Sequence, residues 1–136
     1  MKKTKIIPRG VRNNNPLNIR IGNTWLGERA NPTDPAFEEF VAMEYGVRAA
    51  FIILRRYIKR YHKDTITSIV STWAPANENN TQRYIDQVSA QLGIDPLFPI
   101  KYEDKETMCS LVAAMAKVEC GQPIPEIVIM KGYDMA

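Results

Sequence analysis

One carboxylate sits where an apolar side chain is expected. The spacing of Met108, Leu111, Val112, Met115 and Val118 predicts a long helix from Asp104 to Cys120, stopped by Gly121. On a wheel of 100° per residue these residues fall within about 80° of Met108 on either side. Glu106, Ser110 and Lys117 take the opposite face. Glu119 falls roughly 20° from Met108, inside the apolar stripe, so its carboxyl is aimed at the core or at a cleft cut into it. Burial disfavours the ionised form, and so does the negative end of the helix dipole in the last turn. A carboxyl kept protonated near neutral pH is what a general acid needs, and protonating a glycosidic oxygen is the evident use. Two blander alternatives stand beside it: the helix end frays and Glu119 reaches water, or Glu119 pairs with a buried Arg.

Hydrolysis of a glycosidic bond by paired carboxyls asks for a second one at roughly 5 to 9.5 Å. Glu28, Glu38, Glu39 and Glu44 are the candidates. Glu44 suits the first turn of a helix, where the dipole favours an acid. Glu38 and Glu39 are adjacent in a strand-like run, so one points out while the other points in. Glu28 follows a Gly in a loop and can overhang a cleft, which ranks it first among second carboxylates. Sugar sites combine aromatic faces with amides that read hydroxyl and acetamido groups. Trp25, Trp73 and Tyr84 supply the rings, and Asn79, Asn80, Asn14 and Asn15 the amides, with Asn13 beside them. Each has a plainer use, a Trp as core and an Asn as a helix cap, so the set carries more weight than any member.

These residues need elements to hold them. Residues 1–12 are basic and aperiodic and read as an arm. Asn18 to Ile21, the turn Gly22-Asn23 and Thr24 to Leu26 predict a small hairpin, with Phe37 to Val41 as a third strand. From Glu44 to Tyr61 the apolar residues Val47, Phe51, Leu54 and Ile58 repeat at helical spacing, with Arg48, Arg55, Arg56, Lys59 and Arg60 opposite. A short helix from Thr67 to Trp73 ends before Pro75. Another spans Thr81 to Gln91, with Asn80 as N-cap and Gly93 as its stop. Beyond Gly121, Pro123 and Pro125 open a short apolar segment, Ile127 to Met130. The expected architecture is α+β and mainly α: one domain over residues 1–136, a small N-terminal β region and four to five helices.

Composition narrows the function classes. A chain of 136 residues with 45% hydrophobic and 24% charged residues can bury a core of its own. No apolar run approaches the roughly 18 residues that span a bilayer, and no secretory signal is visible. Cys109 and Cys120 lie about 16 Å apart along one helix, too far to bridge. Two Cys and one His match no zinc spacing, so neither a metal nor a cofactor is expected. A net charge of +3 leaves nucleic acid open, but 15 acidic against 18 basic residues argues against a dominant phosphate-binding surface.

The run Arg9-Gly10-Val11-Arg12-Asn13-Asn14-Asn15-Pro16-Leu17-Asn18-Ile19-Arg20 resembles the opening of a group of phage and prophage virion-associated lytic proteins. Further matching pieces follow in order: Trp25-Leu26-Gly27, Phe37, Phe40, Tyr45 to Ala49, Trp73-Ala74-Pro75, Glu78 to Thr81, Tyr84 and Val118 to Pro123. The resemblance implies a lysozyme-like fold and cleavage of peptidoglycan glycan strands by a lytic transglycosylase or by a muramidase or glucosaminidase, with Glu119 as acid. In such proteins the catalytic Glu closes an early helix, whereas here it comes last, which implies a circularly permuted order of the same parts. It also implies peptidoglycan and other virion proteins as partners, and action from the virion or after release to the periplasm and wall. A virion structural or glycan-binding protein on the same scaffold is the alternative, because a fold does not by itself imply activity.

Overall fold

The computed structural model describes residues 6–77 and 79–136. The first five residues of the basic arm and Glu78 of the matching run lie outside the described residues. Six helices follow in order: α1 (Arg9–Arg12), α2 (Met43–Lys59), α3 (Ile66–Trp73), α4 (Thr81–Leu92), α5 (Lys105–Cys120) and α6 (Glu126–Met135). Their ends carry the expected chemistry. Thr65 and Ser68 form a reciprocal capping box on α3. The side chains of Asn80 and Asp104 accept from Arg83 N and Thr107 N at the starts of α4 and α5. Gly93 and Gly121 close the same two helices in the left-handed conformation.

Two helices depart from expectation. Residues 9–12, expected within an arm, form the turn α1, with Gly10 buried. The apolar segment after Pro125 is helix α6, which packs on α2 and α5. Ile129 of α6 is fully buried, and the Tyr133 ring meets Phe51 edge-on and stacks on Tyr102. Four apolar residues show no clear period. The usable signals are Pro125 just before the first turn and Glu126 within it, both favourable at a helix start.

The expected β region is corrected. Among the described residues there is no strand, only isolated antiparallel bridges, Arg20 with Phe37 and Glu28 with Phe40. Gly22-Asn23 does not close a hairpin: Ile21 N donates to Ala36 O and Glu38 N to Ile19 O, both at 3.0 Å. Residues 27–29 pair instead with residues 39–41, through Arg29 N to Glu39 O at 2.9 Å and Val41 N to Gly27 O at 2.8 Å. The physical reason is competition from side chains, which take backbone groups that a ladder would use. Asn15 Nδ2 donates to Ile19 O and Glu38 O, and Asn15 Oδ1 accepts from Ile19 N. Asn14 Nδ2 donates to Phe40 O at 3.0 Å, while Asn13 Nδ2 donates to Asp34. Glu39 accepts from the backbone N–H groups of Thr33 and Asp34.

This knot of loops sits directly on the helices. A side chain on Gly46 of α2 would run into Asn14 O, so glycine there lets the asparagine run lie against the helix. One buried cluster joins Leu17, Ile19 and Phe40 of the loops to Phe51, Leu54, Ile69, Val88, Met108, Leu111 and Met115 of the helices. Cys109 and Cys120 are free thiols on α5.

Candidate functional site

Glu119 stands in the last turn of α5, which the helical period turns toward the loop region. Its carboxyl borders a cleft of about 560 Å³ with Asn18, Arg20, Phe37, Trp73, Ala74 and Asn79. Asn18 and Arg20 come from the segment that the buried asparagines hold in place, Phe37 from its bridged partner, and Trp73 from the end of α3. The Trp73 indole N–H donates to Leu17 O at 3.1 Å, tying that wall to the turn before Asn18. The Arg20 guanidinium lies 5.0 Å from the centre of the Phe37 ring. A carboxyl, two amides, a guanidinium and two aromatic rings therefore converge on one concave surface.

Burial raises the Glu119 pKa above the usual carboxylate range, opposed by hydrogen bonds from Asn18 and Tyr84. Asn18 Nδ2 donates to Glu119 Oε1 at 3.2 Å and to Glu119 O at 3.1 Å. Tyr84, buried on α4, places its hydroxyl 3.5 Å from Met115 O and also bonds the Glu119 carboxyl. Burial and then the charge of Glu119 hold the Tyr84 phenol well above its ordinary range, so it remains a neutral donor.

Of the residues expected from sequence, the cleft brings together Glu119, Trp73 and Asn79, with Tyr84 behind Glu119. Others stand elsewhere. Asn15 is 0% exposed and Asn14 bonds Phe40 O, so the asparagine run builds the wall instead of lining it. Trp25 is buried in the core, and Asn80 caps α4. Glu28 does not line the Glu119 cleft; it faces Glu38. The expectation that one of Glu38 and Glu39 points out is corrected, since both are buried, at 7% and 6% exposed, though toward different partners. No two-sided strand exists there: loops flank both residues, and Glu39 is held by Thr33, Asp34 and Arg29. Glu44 lies in the first turn of α2, 3.6 Å from the Lys131 ammonium.

Sequence reasoning missed Asn18, Arg20 and Phe37 as lining residues. Strand alternation could not have found them: Asn18 closes a turn with a left-handed backbone, φ 53°, so its spacing from Arg20 is not that of an extended run. A larger groove of about 640 Å³ runs between α5 and α6, with Cys109, Ala113, Ile124, Ile129 and Met130 forming an apolar floor. It lacks the convergence of a shifted carboxyl, amides and rings that marks a reactive site. Among the described residues no cluster of His, Cys, Asp and Glu forms a metal site, and no helix is long and apolar enough to cross a membrane.

The chain belongs to a family of phage proteins. It is similar to Protein P5 of Pseudoalteromonas phage PM2, with 39% identity over 131 residues that cover 93% of this chain and 80% of that protein. No model of a known protein family matches it.

Proposed function

We propose that this phage-family protein cleaves the glycan strands of peptidoglycan, on a lysozyme-like scaffold, with Glu119 as the general acid. The observation that carries this reading is a half-buried carboxyl, raised in pKa, at the edge of a cleft lined by aromatic rings and amides. Trp73 offers an aromatic surface for the apolar side of a sugar ring, and Asn79 offers an amide to its polar substituents. Glu119 protonates the oxygen of the scissile bond as that bond breaks, and the leaving sugar departs as an alcohol. Desolvation favours the protonated carboxyl, the form that can give up a proton.

Two routes diverge after that step. In intramolecular transglycosylation the 6-hydroxyl of the muramyl residue attacks its own anomeric carbon and its proton returns to Glu119, so one protein carboxyl suffices. Hydrolysis uses water and usually a second carboxylate. Glu28, the foremost second carboxylate by sequence, is engaged with Glu38, which favours the one-carboxyl route.

Purified peptidoglycan incubated with wild type and with Glu119→Gln, followed by mass spectrometry of released muropeptides, tests this. Anhydro-muramyl products from the wild type alone are expected. Reducing ends would replace transglycosylation with hydrolysis. Equal release by both proteins would remove Glu119 from the chemistry, and release by neither would leave a glycan-binding or structural role in the virion.

A further inference from the structure

Asn18 makes a contact that bridges distant parts of the chain. Its Nδ2 reaches both Glu119 Oε1 and Glu119 O, 101 positions away in sequence. The residue closes a turn in which Asn18 N donates to Asn15 O at 3.1 Å, with Pro16 following Asn15. Its own backbone is left-handed, at φ 53°, a region that asparagine tolerates better than most residues. Side-chain direction follows from that backbone, so the turn aims the amide at the end of α5.

The other end of the amide is equally constrained. Asn18 Oδ1 is buried without a hydrogen-bond partner. It lies against Gly10 of α1, where a Cβ would come within 3.0 Å of it, 2.9 Å of Asn15 O and 3.2 Å of the Cys120 Cβ. Rotating the amide by half a turn would turn Nδ2 toward the Gly10 side and surrender both acceptors on Glu119. One orientation therefore satisfies the donor. Leaving a buried carbonyl oxygen unpaired is costly, and a site that tolerates it marks a geometric requirement.

We propose that Asn18 is a positioning residue, held by the space that Gly10 leaves, which orients the Glu119 carboxyl toward the cleft and pins the last turn of α5. It acts through Glu119, so the inference rests on Glu119 being the acid for glycan cleavage. A single amide nitrogen holds the carboxyl and the backbone carbonyl of the same residue, which removes the freedom of the final helical turn to fray. The bond to Oε1 strengthens when the carboxyl is ionised, so it opposes burial and sets where Glu119 titrates. The other groups around the carboxyl are Tyr84 from α4, Arg20 across the cleft and Cys120 next on α5. None of them depends on Asn18 for its covalent position.

The test follows the Glu119 side-chain carboxyl carbon by NMR through a pH titration in wild type, Asn18→Gly, Asn18→Asp and Gly10→Ala. Glycine accepts the left-handed backbone without strain, so Asn18→Gly deletes the amide and keeps the turn. Glu119 is expected to titrate at higher pH in Asn18→Gly than in wild type, because a donor to the ionised form is gone. Gly10→Ala, which displaces Asn18, should move it in the same direction. In Asn18→Asp a second carboxyl takes the donor's place and the upward move should be larger. The alkaline limb of cleavage should shift to higher pH with the titration, while the rate at saturating peptidoglycan drops about tenfold from lost orientation.

A Glu119 titration that coincides in wild type and Asn18→Gly would overturn the proposal. If Asn18→Gly does not fold, an unmoved titration in Asn18→Asp overturns it instead. Because the titration needs no substrate, a wild type that cleaves nothing refutes the glycan-cleaving function while the positioning of Glu119 is still decided by NMR.

Discussion

Glu119 and Glu38 are both drawn out of water, yet they face different surroundings. Glu119 opens on a cleft and is bonded from two sides by neutral donors, Asn18 and Tyr84. Glu38 is closed in and faces another carboxyl, Glu28, while its Oε2 is buried without a partner. Burial and then the hydrogen bond and charge of Glu28 push Glu38 up to about 7. Two acids so close cannot both ionise cheaply, so Glu38 holds its proton to a higher pH than an ordinary carboxyl. A raised carboxyl pKa can thus arise in two settings: beside a concave surface, where it suits a proton donor, and between two loops, where it suits a fastening.

The largest effect expected from breaking this contrast is on activity. Glu119→Gln should lower glycan cleavage by about 100- to 10,000-fold, the usual worth of a general acid, with little change in thermal midpoint. Glu38→Gln should leave cleavage near wild type, and muropeptide release by the two variants checks both statements. The second effect is on stability against pH. Because the folded pKa of Glu38 lies above its ordinary value, its contribution is fully present below about pH 4.5 and is lost as pH rises through about 7. Denaturant unfolding should therefore show wild type losing on the order of 1–3 kcal/mol across that interval relative to Glu38→Gln, in which the amide can still donate to Glu28.

Third, Asn15→Ala removes an amide that serves Ile19 N, Ile19 O and Glu38 O. A loss of about 2 kcal/mol is expected from unpaired buried backbone groups, read by the denaturant midpoint. It should disturb Glu38 directly and Glu119 only through the loop that carries Asn18. The smallest effect belongs to Asn80→Ala. That residue caps α4, so about 1 kcal/mol of stability should be lost with cleavage unchanged. A large fall in activity would instead return Asn80 to the substrate-binding residues.

Much of the helical frame was open to sequence reasoning because its signals are local. Asn80 and Asp104 accept from backbone N–H groups three residues on, and Gly93 and Gly121 take a conformation that other residues resist. The place of Glu119 inside the apolar stripe follows from the helical period alone, and so does its desolvation. The alternation of residues 18–21 and 37–41 was also legible, but its partner was not. A hairpin turn at Gly22-Asn23 was expected, whereas residues 19–21 pair with residues 36–38 across a longer loop. Buried asparagines had no period to announce them, and their amides were assigned to substrate instead of to backbone carbonyls.

What tertiary structure alone decides are the encounters between distant residues: Asn18 with Glu119, Glu28 with Glu38, Arg20 with Phe37, and α6 with α2. Helix periods and caps are written within a few residues because the bonds that make them span three or four positions. A contact across 101 positions depends on how loops close and cores pack, and only the assembled chain settles that.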